Sequence, residues 1–142
     1  MTKLLPLLGL AASLGACGAT DNKPGDGPAQ VFSGIGESEV IFLTGTEPFW
    51  GGEIDGDNAR YSTPENQDGW EFAVERFAGN NGLAFTGRRE GASFDLMVTP
   101  GDCSDGMSDR TYPFVATLKI GDEQRTGCAW TDKTPFAGPT NP

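Results

Sequence analysis

The sequence contains no histidine, and it has only 10 basic residues against 20 acidic ones, so its formal net charge at pH 7 is -10. Without histidine, Ser-His-Asp and Cys-His catalysis, histidine-ligated zinc and the usual proton shuttle at neutral pH are excluded. No block rich in lysine and arginine is present and the overall field repels phosphate, which argues against nucleic-acid binding. The length of 142 residues is that of one domain with a sizeable core.

The first sixteen residues have the character of a targeting signal. Lys3 supplies a short positive region, and the apolar run over residues 4–14 is much shorter than the ~20 residues of a membrane-spanning helix. The run ends in Leu14-Gly15-Ala16-Cys17, which resembles a bacterial lipobox. We therefore predict a signal peptide over residues 1–16 and lipidation of Cys17. The alternative is an ordinary signal peptide that leaves Cys17 as a free thiol, a liability in an oxidising compartment.

Removal of this signal peptide would leave 20 acids against 9 bases, a net charge of -11, because Lys3 is the only charged residue lost. An acidic body is repelled by anionic headgroups, so the expected membrane anchor is the lipid itself. Gly18 stands where an aspartate would favour retention in the inner membrane. We expect a location in the cell envelope, on the periplasmic face of the outer membrane.

Three further segments follow from composition. Residues 17–36 are rich in Gly, Pro, Asp and Asn and predict a lipidated N-terminus with a flexible tether. Residues 131–142, with three prolines, predict an irregular tail. Residues 37–130 between them predict a single β-barrel-like domain.

The central segment has a hydrophobic period of two, which is typical of strands with one face on a core. The alternation from Tyr112 to Ile120 is the clearest example, and Asp-Gly and Asn-Gly pairs between such runs favour hairpins. Eight strands are predicted, over residues 39–44, 49–55, 59–62, 70–77, 83–88, 93–98, 112–120 and 123–130. The expected fold is all-β, a small antiparallel up-and-down barrel, with a two-sheet sandwich as the alternative.

Cys103 and Cys128 remain as an even pair if Cys17 carries lipid. A hairpin between them would bring Cys128 back towards the start of the preceding strand, so we predict a structural disulfide. A redox or metal role is the alternative, although CxxC spacing is absent.

Two motifs stand out, Gly45-Thr46-Glu47-Pro48-Phe49-Trp50 and a segment of the form C-x-D-x-M-S-x-x-x-Y-P that begins at Cys103, followed by Gly127-Cys128. Together they resemble the pattern of a group of small bacterial envelope proteins, many of them lipoproteins. The resemblance implies a compact β-barrel-like domain in the envelope and does not imply a particular activity. A looser similarity in size and architecture is to META-type domains and lipoprotein inhibitors of C-type lysozyme.

Glu47, Trp50 and Arg110 are the candidate binding residues of these motifs. Phe49 and Trp50 are expected to close one end of the barrel. Glu47, beside two aromatic residues, is a surface acid, a ligand-binding group, or the partner of Arg110, whose planar fork suits a carboxylate.

No nucleophile in the sequence comes with an identifiable base, so we expect no catalytic residues and no enzyme activity. The acids from Asp102 to Asp109 do not have the order of a calcium loop and are interpreted as a turn, so neither a metal nor a cofactor is expected.

The leading interpretation is therefore a lipid-anchored envelope protein with a non-catalytic binding or structural role. One alternative is an inhibitor of a basic enzyme such as lysozyme, because an acidic, tethered body would speed encounter with a cationic protein. The other is a carrier of a small ligand at a barrel mouth lined by Trp50 and nearby aromatic residues.

Overall fold

Eight antiparallel strands form a closed barrel in the computed structural model, which describes residues 30–141. In chain order they are β1 (Ile41–Thr46), β2 (Phe49–Asp55), β3 (Asn58–Thr63), β4 (Asn66–Ala78), β5 (Leu83–Arg89), β6 (Ala92–Cys103), β7 (Tyr112–Ile120) and β8 (Glu123–Thr131). Each strand pairs with the next and β8 pairs with β1, so the predicted up-and-down barrel is confirmed. The predicted signal peptide and the lipidation site at Cys17 lie outside the described residues. Within residues 30–141 no helix is long and apolar enough to cross a membrane.

The strand bounds follow the alternation of the sequence most closely on β2 and β7 and least closely on β4 and β6. β4 begins at Asn66 rather than at Trp70, and β6 ends at Cys103 rather than at Val98. The ladders of both extensions contain a shift in register. A bulge interrupts the period of two and admits glycine and proline, so these extensions carry no alternating signal.

The pairing of β1 with β8 covers only part of their length. It ends at Thr44, which lies opposite Cys128. Beyond this point the two strands part, although β1 remains paired with β2. We call the parted stretch, Gly45 and Thr46 on β1 with Thr126 and Gly127 on β8, the seam.

The inward positions of the strands form one core. On β7 the alternate residues from Phe114 to Ile120 are at most 7% exposed, whereas Lys119 between them faces solvent. Fully burying such side chains contributes about 1.5–3 kcal/mol each. Because the barrel is closed, no strand edge is left over along most of its circumference.

One end of the barrel is covered by the segment that precedes β1, and we call it the plugged end. Ile35 is 1% exposed and belongs to the core. The backbone N–H of Phe32 donates to the carbonyl of Gly79 at 2.7 Å. The guanidinium of Arg76 donates to the carbonyls of Ile35 and Gly36 at 2.7 Å and 3.2 Å.

This packing differs from the tether predicted over residues 17–36. Phe32 and Ile35 pack against the barrel, so the folded body begins before residue 37. The composition of the segment is that of a linker, yet two of its apolar side chains, Phe32 and Ile35, pack against the barrel core.

The opposite end, which we call the mouth, carries the turns of four hairpins. These turns join β1 to β2, β3 to β4, β5 to β6 and β7 to β8.

The chain enters and leaves the barrel at the plugged end, and two hydrogen bonds join the entry point to the exit point. The N–H of Val40 donates to the carboxylate of Asp132 at 3.1 Å, and the N–H of Asp132 donates to the carbonyl of Val40 at 3.3 Å.

The tail after β8 packs beside β7 and β8. The ring of Phe136 lies 5.5 Å from the ring of Tyr112 and 5.7 Å from that of Trp130. Thr111 and Ala137 exchange backbone hydrogen bonds of 2.9 Å. The described part of the tail forms no strand beyond this single bridge.

Candidate functional site

Trp50, one of the predicted binding residues, is buried at the seam. It is 4% exposed, and its Nε1–H donates to the carbonyl of Thr126 at 3.2 Å. β1 is no longer paired with β8 at this level of the barrel. The hydrogen bond of Trp50 joins β2 to β8 there instead, so the indole completes the barrel wall. Phe49, expected to close one end of the barrel with Trp50, is instead 52% exposed, because successive residues of a strand face opposite sides.

Two motif glycines make room for this indole. A Cβ on Gly45 would lie 1.9 Å from Nε1 of Trp50. A Cβ on Gly127 would lie 2.9 Å from Cζ2 of Trp50 and 2.2 Å from the carbonyl oxygen of Thr44. A side-chain carbon does not fit at any of these three distances. The first motif and the final Gly-Cys pair therefore form a single packing unit.

The remaining motif lies over the same seam. Cys103 and Cys128 form a disulfide with a Cα–Cα distance of 5.6 Å, which confirms the predicted bridge. The hydroxyl of Thr46 donates to the carbonyl of Asp105 at 3.0 Å. These two links carry the loop over residues 104–111 across β8 to β1, so all the motif segments meet at one place.

Asp105 holds this loop in shape. Its carboxylate accepts hydrogen bonds from the N–H groups of Ser108 and Met107 at 2.8 Å and 2.9 Å. It also accepts from the hydroxyls of Ser108 at 2.7 Å and Tyr112 at 3.1 Å. The Ser108 N–H and the other donors lower the pKa of Asp105 to about 2, whereas partial burial opposes them. Among residues 30–141 no group of three or more Cys, Asp or Glu side chains is placed to hold a metal ion.

Two clefts flank Trp50. One of about 180 Å³ lies under the loop and is lined by Thr46, Ser104 and Thr126, among others. The other, of about 350 Å³, lies between β2 and the β3–β4 turn and is lined by Phe49 and Gln67, among others. Asp105 is the one charged residue among the described residues that line the two clefts.

Glu47 and Arg110 do not pair. Glu47 is exposed in the β1–β2 turn at the mouth. Nε of Arg110 donates to the carbonyl of Pro139 at 2.8 Å, and its guanidinium lies 4.4 Å from the centroid of the Phe136 ring. The described residues form three ion pairs, and none involves Glu47 or Arg110. Arg110 therefore fastens the tail, and Glu47 is exposed without an ion-pair partner among residues 30–141.

A second cluster, which none of the motifs contains, lies just inside the mouth. The guanidinium of Arg89 is 4.5 Å from the ring centroid of Trp70 and 5.6 Å from that of Tyr61. The guanidinium of Arg125 is 5.9 Å from the same Tyr61 ring. We call the group Tyr61, Trp70, Arg89 and Arg125 the mouth cluster.

Three buried polar atoms of this cluster lack a hydrogen-bond partner in the described part of the chain: the hydroxyl of Tyr61 and the Nε atoms of Arg89 and Arg125. Tyr61 is only 2% exposed. Leaving such a group unpaired costs about 1–3 kcal/mol, so an unpaired set is unusual. Burial raises the pKa of Tyr61 above its ordinary value, and the charges of Arg125 and Arg89 oppose this effect. The hydroxyl is therefore protonated at neutral pH and can donate a hydrogen bond.

Each arginine of the cluster contacts a carboxylate at the rim. Arg89 lies 3.2 Å from Glu90, and Arg125 lies 2.8 Å from Glu123. The two glutamate side chains are 66% and 71% exposed, whereas the arginine side chains are 20% and 16% exposed. The hydrogen bond that Arg125 donates to Glu123 raises the pKa of Arg125 above its ordinary value, and partial burial opposes this effect. Two fixed positive charges thus lie inside an acidic rim.

The donor set of the cluster suits binding rather than proton transfer. A guanidinium donates hydrogen bonds but does not lose its proton in the physiological range. The ring of Trp70, which is only partly buried, stacks on Tyr61 at 5.9 Å and supplies apolar surface beside these donors.

The sequence contained one signal for this cluster. Arg125 lies opposite Leu118 and Arg89 lies opposite Ala92, and both of these residues face the core. Residues that are directly paired share a face of the sheet, so both arginines occupy inward positions. Arg125 lies within the strand predicted over residues 123–130, so the alternation alone could have revealed its inward position, whereas Arg89 lies one residue beyond the strand predicted over residues 83–88.

No protein-family model, curated protein or solved structure matches the sequence, so the site rests on its own geometry.

Proposed function

We propose that this protein is a lipid-anchored component of the cell envelope with a non-catalytic role, and that it binds a small ligand at the mouth. The observation that carries the proposal is the set of unpaired buried donors on Tyr61, Arg89 and Arg125. A barrel that keeps such donors gains most from a ligand that pairs with them, because the cost of burying them is already present in the free protein.

The placement of the chain ends supports this arrangement. The segment before β1 enters at the plugged end, where Ile35 fills the core. A tether from a lipidated Cys17 would therefore reach the barrel at the end opposite the mouth. In that case the mouth cluster faces away from the membrane, towards soluble ligands. The periplasmic face of the outer membrane is the location we propose.

Anchoring and ligand binding are tested separately. For anchoring, Cys17→Ser is expected to move the protein from the membrane fraction to the soluble fraction of the envelope, whereas Cys103→Ser, which removes a different cysteine, leaves it in the membrane fraction. Continued incorporation of labelled lipid into Cys17→Ser would contradict the anchor.

For ligand binding, the protein is purified from envelopes and measured by native mass spectrometry. We expect a retained small molecule that is lost from Arg89→Gln/Arg125→Gln and kept by Arg88→Gln, which removes a charge from the outer face of the same strand. A wild-type protein that carries no small molecule, together with capture of a protein partner through the loop over residues 104–111, would overturn the proposal.

Inhibition of a basic enzyme is a second candidate, and the same loop favours it. The disulfide at Cys103 and the hydrogen bonds to Asp105 hold the loop in one shape, and it exposes Met107 and Asp109. A preorganised loop loses little entropy on docking. The test is inhibition of lysozyme at low and at high salt, with Asp109→Asn and Met107→Ala as variants. Absence of inhibition at low salt removes this candidate.

A further inference from the structure

The chemistry of the mouth cluster narrows the ligand, on the assumption that the proposed binding role is correct. All three unpaired atoms are donors: the hydroxyl of Tyr61 and the Nε–H groups of Arg89 and Arg125. Two of them belong to permanent cations. A cationic ligand would meet two like charges, and a neutral one would leave both guanidinium groups on the rim carboxylates that they already contact.

Both guanidinium groups lie within 6 Å of the centroid of the Tyr61 ring, so two positive charges stand beside one aromatic side chain at the mouth. We infer that the mouth cluster binds the anionic head of a small organic acid, either a carboxylate or a phosphate monoester. The planar fork of an arginine matches the geometry of both groups.

The rim carboxylates explain how the anion is admitted. Glu90 and Glu123 now contact the two arginines, but their side chains are about two-thirds exposed. Exposed ion pairs are weak, so these carboxylates turn away into solvent at little cost. The anion then takes their place on Arg89 and Arg125 and also reaches the donors that the glutamates leave unpaired.

The aromatic side chains beside the two arginines indicate the character of the apolar part of the ligand. Trp70 stacks on Tyr61, and Phe72 lies one inward position further along β4. Aromatic surface beside a charged head favours a ligand with a ring or a short hydrocarbon next to its acid group. Benzoate and phenyl phosphate are therefore suitable probes, because they share the ring and differ only in the anion.

The probes are titrated into the protein purified as its host cell produces it, and the side-chain N–H signals of arginine are followed by NMR. We expect saturable shifts of the Nε–H signals of Arg89 and Arg125 with benzoate or phenyl phosphate. The tighter of the two identifies the anion. Benzamide, which is neutral and has the shape of benzoate, is expected to produce no such shift. Equal binding of benzamide would overturn the inference.

Variants test the individual contacts. Arg125→Gln is expected to weaken binding at least about tenfold, the equivalent of one charge-assisted hydrogen bond. Arg88→Gln, on the outer face of β5, is the matched control for the loss of a positive charge and is expected to change binding less than twofold. Glu123→Gln is expected to tighten binding, because it removes the competing carboxylate from Arg125.

Tyr61→Phe separates a binding role from a structural one. Its hydroxyl has no hydrogen-bond partner of ordinary geometry among residues 30–141, although Arg125 lies close to it, so its removal is expected to leave the midpoint of thermal unfolding unchanged or raised while weakening anion binding several-fold. A variant that unfolds earlier yet binds the anion like the wild type would overturn the inference. Absence of binding by both anions would also overturn it, even if native mass spectrometry finds a neutral or cationic molecule, and in that case the proposed binding role stands.

Discussion

The indole N–H of Trp50 donates to the carbonyl of Thr126 across the seam, at a distance of 3.2 Å. The barrel is therefore closed in two ways, by a ladder from Ile41 to Thr44 and by one side chain beyond it. The motif from Gly45 to Trp50 is thus explained by its role in closing the barrel wall. Trp50 was a candidate for binding, and the structure gives it a structural contact at the same position.

The close fit around Trp50 predicts a large effect of Gly127→Ala. The added methyl group would meet the carbonyl oxygen of Thr44 at 2.2 Å and the indole at 2.9 Å, so backbone must move. We expect a loss of about 2–3 kcal/mol in the free energy of unfolding, measured with urea. Gly79→Ala is the control, because its nearest neighbours lie 3.7 Å and 3.8 Å away. Equal stability of the two variants would show that the seam is adaptable.

The disulfide predicts a second loss of stability. It joins Cys103 to Cys128, which are 25 residues apart in the sequence. Replacing both by serine is expected to cost about 3 kcal/mol, because the unfolded chain regains the freedom that the loop closure removed. Hydrogen exchange of the loop over residues 104–111 should rise in the same variant. Unchanged exchange there would mean that Asp105 alone holds the loop.

The hydrogen bonds to Asp105 predict a dependence of stability on pH. Its pKa is about 2 in the folded protein, below the ordinary value of 3.8, so its contribution is complete above about pH 4 and is lost as the pH falls towards 2. Asp105→Asn is expected to cost about 1–2 kcal/mol at pH 6 and less at pH 2.5. The measurement is urea unfolding at both pH values, with Asp109→Asn as the control in the same loop. A cost independent of pH would contradict the role of the charge.

The contacts of Arg110 predict release of the tail when they are removed. Arg110→Gln loses the stacking on Phe136 and the charged donor to the carbonyl of Pro139. We expect the amide of Ala137 to exchange about tenfold faster, the equivalent of ~1.4 kcal/mol in local stability. Arg60→Gln, which removes an arginine paired with Glu53 instead, is the control. Unchanged exchange at Ala137 would mean that the aromatic packing of Phe136 is sufficient.

The fold could be predicted from the sequence because a period of two recurs in successive short runs between Ile41 and Thr131, with turn residues between them. The disulfide followed from the even number of remaining cysteines and the hairpin between them. The long ends of β4 and β6 could not be predicted, because a bulge erases the alternation there.

The site was less predictable than the fold. Glu47 and Arg110 stand close to distinctive motifs, but the structure places them in separate surroundings. Arg89 and Arg125 stand in ordinary sequence, 36 residues apart, and only closure of the barrel brings both to one ring. Sequence patterns report which face a residue occupies, and they do not report which residues of distant strands meet across the barrel interior.

The paired hydrogen bonds between Val40 and Asp132 place the start and the finish of the barrel side by side. A short linker there would allow the chain to be circularly permuted, with new termini cut into any of the turns at the plugged end. The four hairpins that surround the mouth would then stay intact. The barrel is thus a scaffold whose covalent connectivity can be rewired at one end while the chemistry displayed at the other is varied.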